Sequence, residues 1–251
     1  EVATLARKLG KNPIIVIEQT DEVKRIIESV KNLKATPLLG IRAKLSSKSS
    51  GRWSKSIGDN SKFGLSIPEI MSTLKKLKEA NLLNELKLLH FHIGSQISDI
   101  AVIKDSLQEA SQIYVELCKQ GASMKYIDVG GGLGIDFDGT KTSSNTSTNY
   151  SLQNYANDVI ATIKDSCQVN NIDHPTVISE SGRAIISHCS VLIFNVLGTS
   201  HVSSEIKISD EKPKSLIIAN LIETFYQLKK ITKKKANLSE IIELWNDAKK
   251  F

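Results

Sequence analysis

The chain has 251 residues, of which 40% are hydrophobic and 24% are charged, and its formal net charge is +6. This length and apolar content can bury a sizeable core, which excludes a disordered chain. No apolar run approaches the roughly 20 residues of a membrane-spanning helix, and the first residues lack the pattern of a signal peptide. We therefore expect a cytoplasmic protein that does not associate with a membrane.

The basic residues do not predict a nucleic-acid partner. They are interspersed with acidic residues, and the densest run, residues 229–235, lies in a helix-like stretch with few aromatic residues. We expect a solvated helical face there. The chain starts without Met inside one helical pattern and ends within another, so we expect an internal fragment of a longer protein.

Apolar runs suited to β-strands alternate with amphipathic stretches along the first 190 residues. The five runs are residues 14–17, 38–41, 88–91, 126–129 and 176–179. Helix-start signals lie between them, such as Asp21 ahead of an apolar-periodic stretch and Pro68 in the first turn of the next. The alternation predicts an α/β fold with a parallel sheet, either an open doubly wound sheet or a (β/α)8 barrel.

Polar residues at the ends of the predicted strands favour the barrel. Arg42, His90, Asp128 and Glu180 fall at or just past the carboxyl ends of four successive strands. Loops at those ends converge on one mouth in a barrel, whereas an open sheet gathers ligand groups mainly at its switch point. Five strands cannot close a barrel, so we predict a partial (β/α)8 TIM barrel over residues 1–190, with the missing strands upstream of Glu1.

The rest of the chain departs from this alternation. Two polar loops, residues 46–62 and 138–150, are either functional segments of the strand-end face or flexible linkers. Residues 191–197 form another apolar run, which predicts a crossover strand that leaves the barrel within residues 191–208. Residues 209–251 carry a helical pattern.

A cluster of glycines follows the fourth predicted strand. Gly130, Gly131 and Gly132 are followed by Leu133 and Gly134, but Ile135 stands where a dinucleotide-binding motif requires its third glycine. Consecutive glycines let backbone N–H groups approach a phosphate closely, with Arg183 as a paired cation from the next strand end. A tight turn without a ligand is the alternative.

Two histidines lie two residues apart at the end of the third predicted strand. His90 and His92 point to the same side, which is also the geometry of a metal pair in barrel hydrolases. Such a site needs further ligands at later strand ends, but His174 precedes its strand and His188 lies beyond it. We expect no metal, a packing role for His90, and a role for His92 in stacking on a flat ring.

Glu180 ends the fifth predicted strand, three residues before Arg183. One interpretation is a salt bridge between the two. The other is a carboxylate that faces a pyridine nitrogen and keeps it protonated, so that the ring accepts electrons from a carbanion.

Together these motifs resemble the pyridoxal-phosphate enzymes of the alanine racemase-like barrel class, and within that class the biosynthetic arginine decarboxylases. The resemblance covers nearly the whole chain. It rests on residues 89–96 (LHFHIGSQ), 128–134 (DVGGGLG), 138–140 with 149–150 and 155–157, and 174–183 (HPTVISESGR).

The resemblance implies that His92 and Glu180 are catalytic, with His92 stacked on the cofactor ring and Glu180 paired with its nitrogen. It implies a phosphate site at the glycines and Arg183. The cofactor-binding residues that it implies are His92, Ser95, Gly130, Gly131, Gly132, Glu180, Gly182, Arg183 and Arg42. The helices after residue 209 would be a truncated insertion in a second, β-rich domain.

The resemblance further implies decarboxylation of L-arginine to agmatine and CO2 in polyamine biosynthesis, with pyridoxal 5'-phosphate, an Mg²⁺ requirement and a homo-oligomer, either dimer or tetramer. The lysine that tethers the cofactor would lie upstream of Glu1, so we expect the fragment alone to be inactive. Diaminopimelate and ornithine are alternative substrates, and a metal-dependent barrel hydrolase and a single-domain cofactor-binding barrel are alternative classes.

Overall fold

The computed structural model describes residues 1–46, 62–193, 195–199, 213, 215–232 and 238–249. Most of the first predicted loop and most of the predicted crossover lie outside these residues. The strands are β1 (Ile14–Ile17), β2 (Leu38–Arg42), β3 (Leu86–His90), β4 (Tyr126–Asp128) and β5 (Thr176–Ile178). The helices are α1 (Val2–Lys8), α2 (Glu22–Leu33), α3 (Ile67–Glu79), α4 (Ile100–Lys119), α5 (Leu152–Val169), α6 (Gly182–Ile186), α7 (Leu216–Thr232) and α8 (Leu238–Ala248), with 3-10 turns at Leu83–Glu85 and Ser187–Cys189.

The five strands form one parallel sheet in the order β1-β2-β3-β4-β5. Each strand pairs with the next one along the chain. A doubly wound sheet reverses its strand order at a switch point, and no reversal occurs among these five. The structure confirms the predicted fold, a partial (β/α)8 barrel.

Local signals explain where the helices begin. α3 carries a capping box between Ser66 and Glu69, and Pro68 lies in its first turn. The capping box provides acceptors for unpaired backbone N–H groups at the start of the helix, and proline, which lacks an N–H, leaves one fewer of these groups to satisfy. The faces that the helices turn toward the sheet are apolar, as with Val23 and Ile26 of α2, which are buried against the strands in one core.

Hydrogen bonds among its own side chains organise the second predicted loop, which favours an ordered segment over a flexible linker. Asp138 accepts hydrogen bonds from the Thr140 N–H and Oγ1 and from Thr146 Oγ1, at 3.0, 2.8 and 2.5 Å. Desolvation raises the pKa of Asp138, but these hydrogen bonds outweigh it and lower the pKa to about 2. Tyr150 ties the end of the loop to the barrel, because its hydroxyl accepts from Gly134 N and donates to Ile97 O.

The predicted crossover strand does not form in the described residues. Residues 191–193 and 195–197 have no strand assignment, and Leu192, Ile193 and Leu197 are exposed. A strand requires a hydrogen-bonded neighbour, and the described part of the chain offers none here. The helical pattern after residue 209 is confirmed by α7 and α8, while the division into domains stays a prediction. No helix in the described ranges combines the length and apolarity needed to cross a membrane.

Candidate functional site

The register of the sheet brings the predicted polar residues to one end of the barrel. Arg42 pairs with His90 across β2 and β3, His90 with Asp128 across β3 and β4, and Asp128 with Ile178 across β4 and β5. Glu180 lies two residues past Ile178, and one of its carboxylate oxygens lies within 4.8 Å of a His90 nitrogen and an Asp128 oxygen. The expectation that successive strand ends share one mouth is therefore confirmed for these residues.

The glycine turn after β4 is shaped by close packing against neighbouring loops. Gly130 and Gly132 have φ angles of +67° and +101°, which disfavour any other residue. A Cβ on Gly130 would lie 2.2 Å from Phe91 O, and one on Gly131 would lie 2.9 Å from Glu180 O. The absence of side chains allows the turn to contact the segments that carry His92 and Glu180.

Backbone hydrogen bonds fix these segments on the turn. Glu180 N donates to Gly130 O at 2.8 Å. Gly130 N donates to Asp128 Oδ1 at 2.9 Å, and Gly131 N donates to His92 Nδ1 at 3.2 Å. The Gly132 N–H has no hydrogen-bond acceptor among the residues that the structure describes, so it is the amide of the three that remains available to a ligand.

The surroundings of His92 favour its neutral imidazole form. Partial burial lowers its pKa, and the nearby Arg42 and His90 lower it further, against the opposing carboxylates of Glu180 and Asp128. Its Nδ1 accepts a hydrogen bond from Gly131, which leaves the ring proton on Nε2. The ring itself is exposed at the mouth, where a flat ligand can stack on it.

Arg42 is fixed by contacts on two sides. Its Nη1 lies 2.6 Å from Glu18 Oε1, and its guanidinium lies 5.2 Å from the centre of the Phe63 ring. Glu18 was not among the residues predicted for the site. It directly follows β1 and could have been found by the same strand-end rule that selected Arg42.

Replacing Arg42 with methionine is expected to raise the pKa of His92. Removing a nearby positive charge favours the protonated imidazole, so the titration midpoint moves to higher pH. The shift can be measured by NMR of ¹⁵N-labelled histidine. Lys76→Met, on the outer helix α3, serves as the control and should leave the midpoint in place. An unchanged or lowered midpoint in Arg42→Met would contradict this account.

Three strand-end residues approach one another closely. A nitrogen of His90 and one carboxylate oxygen each of Asp128 and Glu180 lie within 4.8 Å of one another, the one grouping of this kind among the described residues. The metal pair weighed from the sequence joined His90 to His92 instead. The His90 nitrogen and the two carboxylates could together bind a metal ion. The carboxylates could equally lie beside the protonated ring nitrogen of a bound ligand.

The remaining predicted residues lie near this centre without making the predicted contacts. Arg183 is exposed in α6, directly after Gly182, and no described contact forms the alternative salt bridge to Glu180. Ser95 is half-buried in the segment that crosses the glycine turn, where Ile97 N donates to Gly132 O. Their roles as cofactor ligands stay predictions.

Comparison with known proteins places this geometry in a family. A family model described as pyridoxal-dependent decarboxylase, pyridoxal binding domain, matches residues 3–187. The chain is 86% identical over 251 residues to a biosynthetic arginine decarboxylase of Prochlorococcus marinus strain MIT 9215, and this match covers 100% of the chain but 39% of that protein. The chain thus spans about two fifths of the curated relative's length.

Solved structures show the same fold. The crystal structure of the biosynthetic arginine decarboxylase from Campylobacter jejuni superposes with a TM-score of 0.66 at 28% identity, covering 97% of this chain and 43% of that one. A diaminopimelate decarboxylase from Helicobacter pylori, complexed with L-lysine, has a TM-score of 0.56 at 24% identity, with 68% and 40% covered. The family match over residues 3–187 shows that the chain belongs to the pyridoxal-dependent decarboxylases.

Proposed function

We propose that the full-length protein is an arginine decarboxylase that converts L-arginine to agmatine and CO2 with pyridoxal 5'-phosphate. The observation that supports this most directly is the junction at the glycine turn. The Gly130 carbonyl accepts a hydrogen bond from the Glu180 N–H, and the Gly131 N–H donates one to the His92 ring. Glu180, His92 and the glycine turn are therefore direct neighbours. The curated relative of 86% identity carries the name biosynthetic arginine decarboxylase.

The residues present fit a phosphorylated pyridine. A Cβ on Gly131 would lie 2.9 Å from Glu180 O and 3.5 Å from His92 Cε1, so glycine is what lets these three residues meet. The Gly132 N–H and the Arg183 guanidinium would bind the phosphate, with Ser95 and Gly182 beside it. His92 would stack on the ring, with Arg42 as its cationic neighbour.

When bound, the cofactor supplies a pyridinium ring that accepts the electron pair left on Cα as CO2 departs. The residues of this chain prepare that site. Glu180 would hold the proton on the ring nitrogen, and His92, whose pKa is lowered by its surroundings, would cover one ring face. Groups fixed before the reaction in this way stabilise the charge that develops in the transition state.

The assignment is tested by substrate profile. Full-length protein should bind pyridoxal 5'-phosphate, seen as visible absorbance, and should release CO2 from L-arginine in preference to L-ornithine and diaminopimelate. A preference for L-ornithine or diaminopimelate would leave the family membership intact but would contradict L-arginine as the substrate. Absence of bound cofactor and of CO2 release from all three would overturn the proposal.

Replacing Arg183 with glutamine is expected to weaken cofactor binding. A charge-assisted hydrogen bond to phosphate contributes about 1.5–3 kcal/mol, so the dissociation constant should rise roughly 10- to 100-fold. Titration of the apoprotein with pyridoxal 5'-phosphate measures it. Arg25→Gln, an exposed arginine of α2, is the matched control. Equal affinities of the two variants would remove Arg183 from the phosphate site.

The wider assignments follow from the resemblance. We propose a cytoplasmic homo-oligomer, a dimer or tetramer, that acts in polyamine biosynthesis. We also propose an Mg²⁺ requirement, which chelation would test. The grouping of His90, Asp128 and Glu180 is a poor Mg²⁺ site, because it includes an imidazole nitrogen and Mg²⁺ prefers oxygen ligands. Family membership leaves the metal-dependent hydrolase interpretation without support.

A further inference from the structure

We propose that His90 is a positioning residue that acts on the glycine turn through Asp128, with its ring proton on Nδ1. The effect of His90 on cofactor binding rests on the proposed function, because it requires that the glycine turn bind the cofactor phosphate. The proton position itself is independent of that function. The sequence suggested only a packing role for this histidine.

The first step concerns the two atoms that face each other across β3 and β4. His90 Nδ1 lies 3.2 Å from Asp128 Oδ2, and both side chains are nearly buried, at 11% and 12% exposed. Carboxylate oxygens only accept hydrogen bonds. If Nδ1 carried a lone pair, two acceptors would face each other in a buried place, so a proton on Nδ1 is required to make this contact favourable.

The contact is close but not yet aligned. Nδ1 of His90 is a buried atom without a hydrogen-bond partner among the described residues, although the Asp128 oxygen is within reach. The two atoms are therefore close enough for a hydrogen bond, but the N–H is not directed at the oxygen. A buried polar atom of this kind calls for a partner.

The second step connects Asp128 to the turn. Its other oxygen, Oδ1, accepts the Gly130 N–H at 2.9 Å. Gly130 is the residue at φ +67° from which Gly131 and Gly132 follow. With His90 as donor, the carboxylate would accept one hydrogen bond from β3 on Oδ2 and one from the turn on Oδ1. The position of His90 would then influence the position of the turn through Asp128.

Charged and titratable groups from the neighbouring elements leave this assignment intact. Arg42 approaches from β2, His92 follows β3, Glu180 follows β5, and Tyr155 of α5 lies close enough to interact with Asp128. Among the described residues, none of these groups donates a hydrogen bond to Asp128 Oδ2. His90 is the donor that the geometry offers to this oxygen.

The test compares two variants of similar size in the full-length protein. His90→Leu removes the donor, and His90→Asn keeps an amide N–H near the position of Nδ1. Loss of a hydrogen bond to a buried carboxylate should raise the dissociation constant for pyridoxal 5'-phosphate about tenfold or more in His90→Leu. His90→Asn should bind within about threefold of the wild type. Equal weakening in both variants, or none in His90→Leu, would overturn the proposal.

A second measurement does not depend on the variants folding. Spectra of ¹⁵N-histidine-labelled apoprotein should show the His90 proton on Nδ1, and a proton on Nε2 with a bare Nδ1 would overturn the proposal. Its failure is distinct from that of the proposed function. A wild-type protein that binds no cofactor would contradict the proposed function. The position of the ring proton tests only the proposal about His90.

Discussion

Glu180→Gln in the full-length protein should reduce turnover on the order of 100- to 1,000-fold, the loss typical of removing one preorganised electrostatic group. Glutamine keeps the size of the side chain but cannot hold a proton on a pyridine nitrogen as a carboxylate does. The backbone of Glu180 is already fixed by its bond to Gly130 O, so the variant should keep its local structure.

The kinetic pattern distinguishes this role from simple binding. An interaction that matters only in the transition state lowers kcat while leaving cofactor affinity within a few-fold of the wild type. Steady-state kinetics and cofactor titration measure the two quantities. Glu79→Gln, an exposed glutamate of α3, is the control and should change neither. Turnover of Glu180→Gln equal to that of the wild type would exclude Glu180 from the chemistry.

Gly130→Ala should strongly destabilise the protein although it adds a single methyl group. The new Cβ would lie 2.2 Å from Phe91 O, and the residue must keep a φ of +67°. The backbone conformation costs about 1–2 kcal/mol and overpacking about 1–3 kcal/mol, so the free energy of unfolding should fall by about 2–5 kcal/mol. Cofactor binding should be lost as the turn shifts.

Gly139→Ala separates the two causes. Gly139 has a similar φ of +72°, but a Cβ there would meet nothing within 4 Å. It should therefore show the conformational cost alone, about 1–2 kcal/mol, and normal cofactor binding. Denaturant unfolding and cofactor titration of both variants provide the comparison. Equal destabilisation would mean that the contact with Phe91 is relieved by a small movement of the turn.

Much of the barrel was predictable because its signals are local. Each strand is a short apolar run, and each polar residue that closes a run, such as Arg42 or Asp128, lies at the shared mouth. Strand order follows from the alternation of strands with helices. The pairing of His90 with Asp128 was not predictable, because register across β3 and β4 depends on the lengths of the intervening segments.

Other features depend on contacts that a linear pattern does not show. The sequence left the loop at residues 138–150 as either a functional segment or a flexible linker, whereas the structure shows Asp138 organising it through nearby hydroxyl groups. Tyr155 belongs to the segment 155–157 that carries part of the resemblance, and its position in α5 brings it to Ser179 and Ser181 beside Glu180. The apolar run at residues 191–197 predicted a strand, and that strand requires a partner that the described residues do not supply.

The order of the sheet has a practical consequence for handling this chain. β1 pairs with β2 and β5 with β4, so in the described sheet each outer strand has one side without a neighbour. Such strands present rows of free N–H and C=O groups that recruit other chains. We expect these two strands to promote association between copies of the chain, and charged substitutions on β1 or β5 to reduce it.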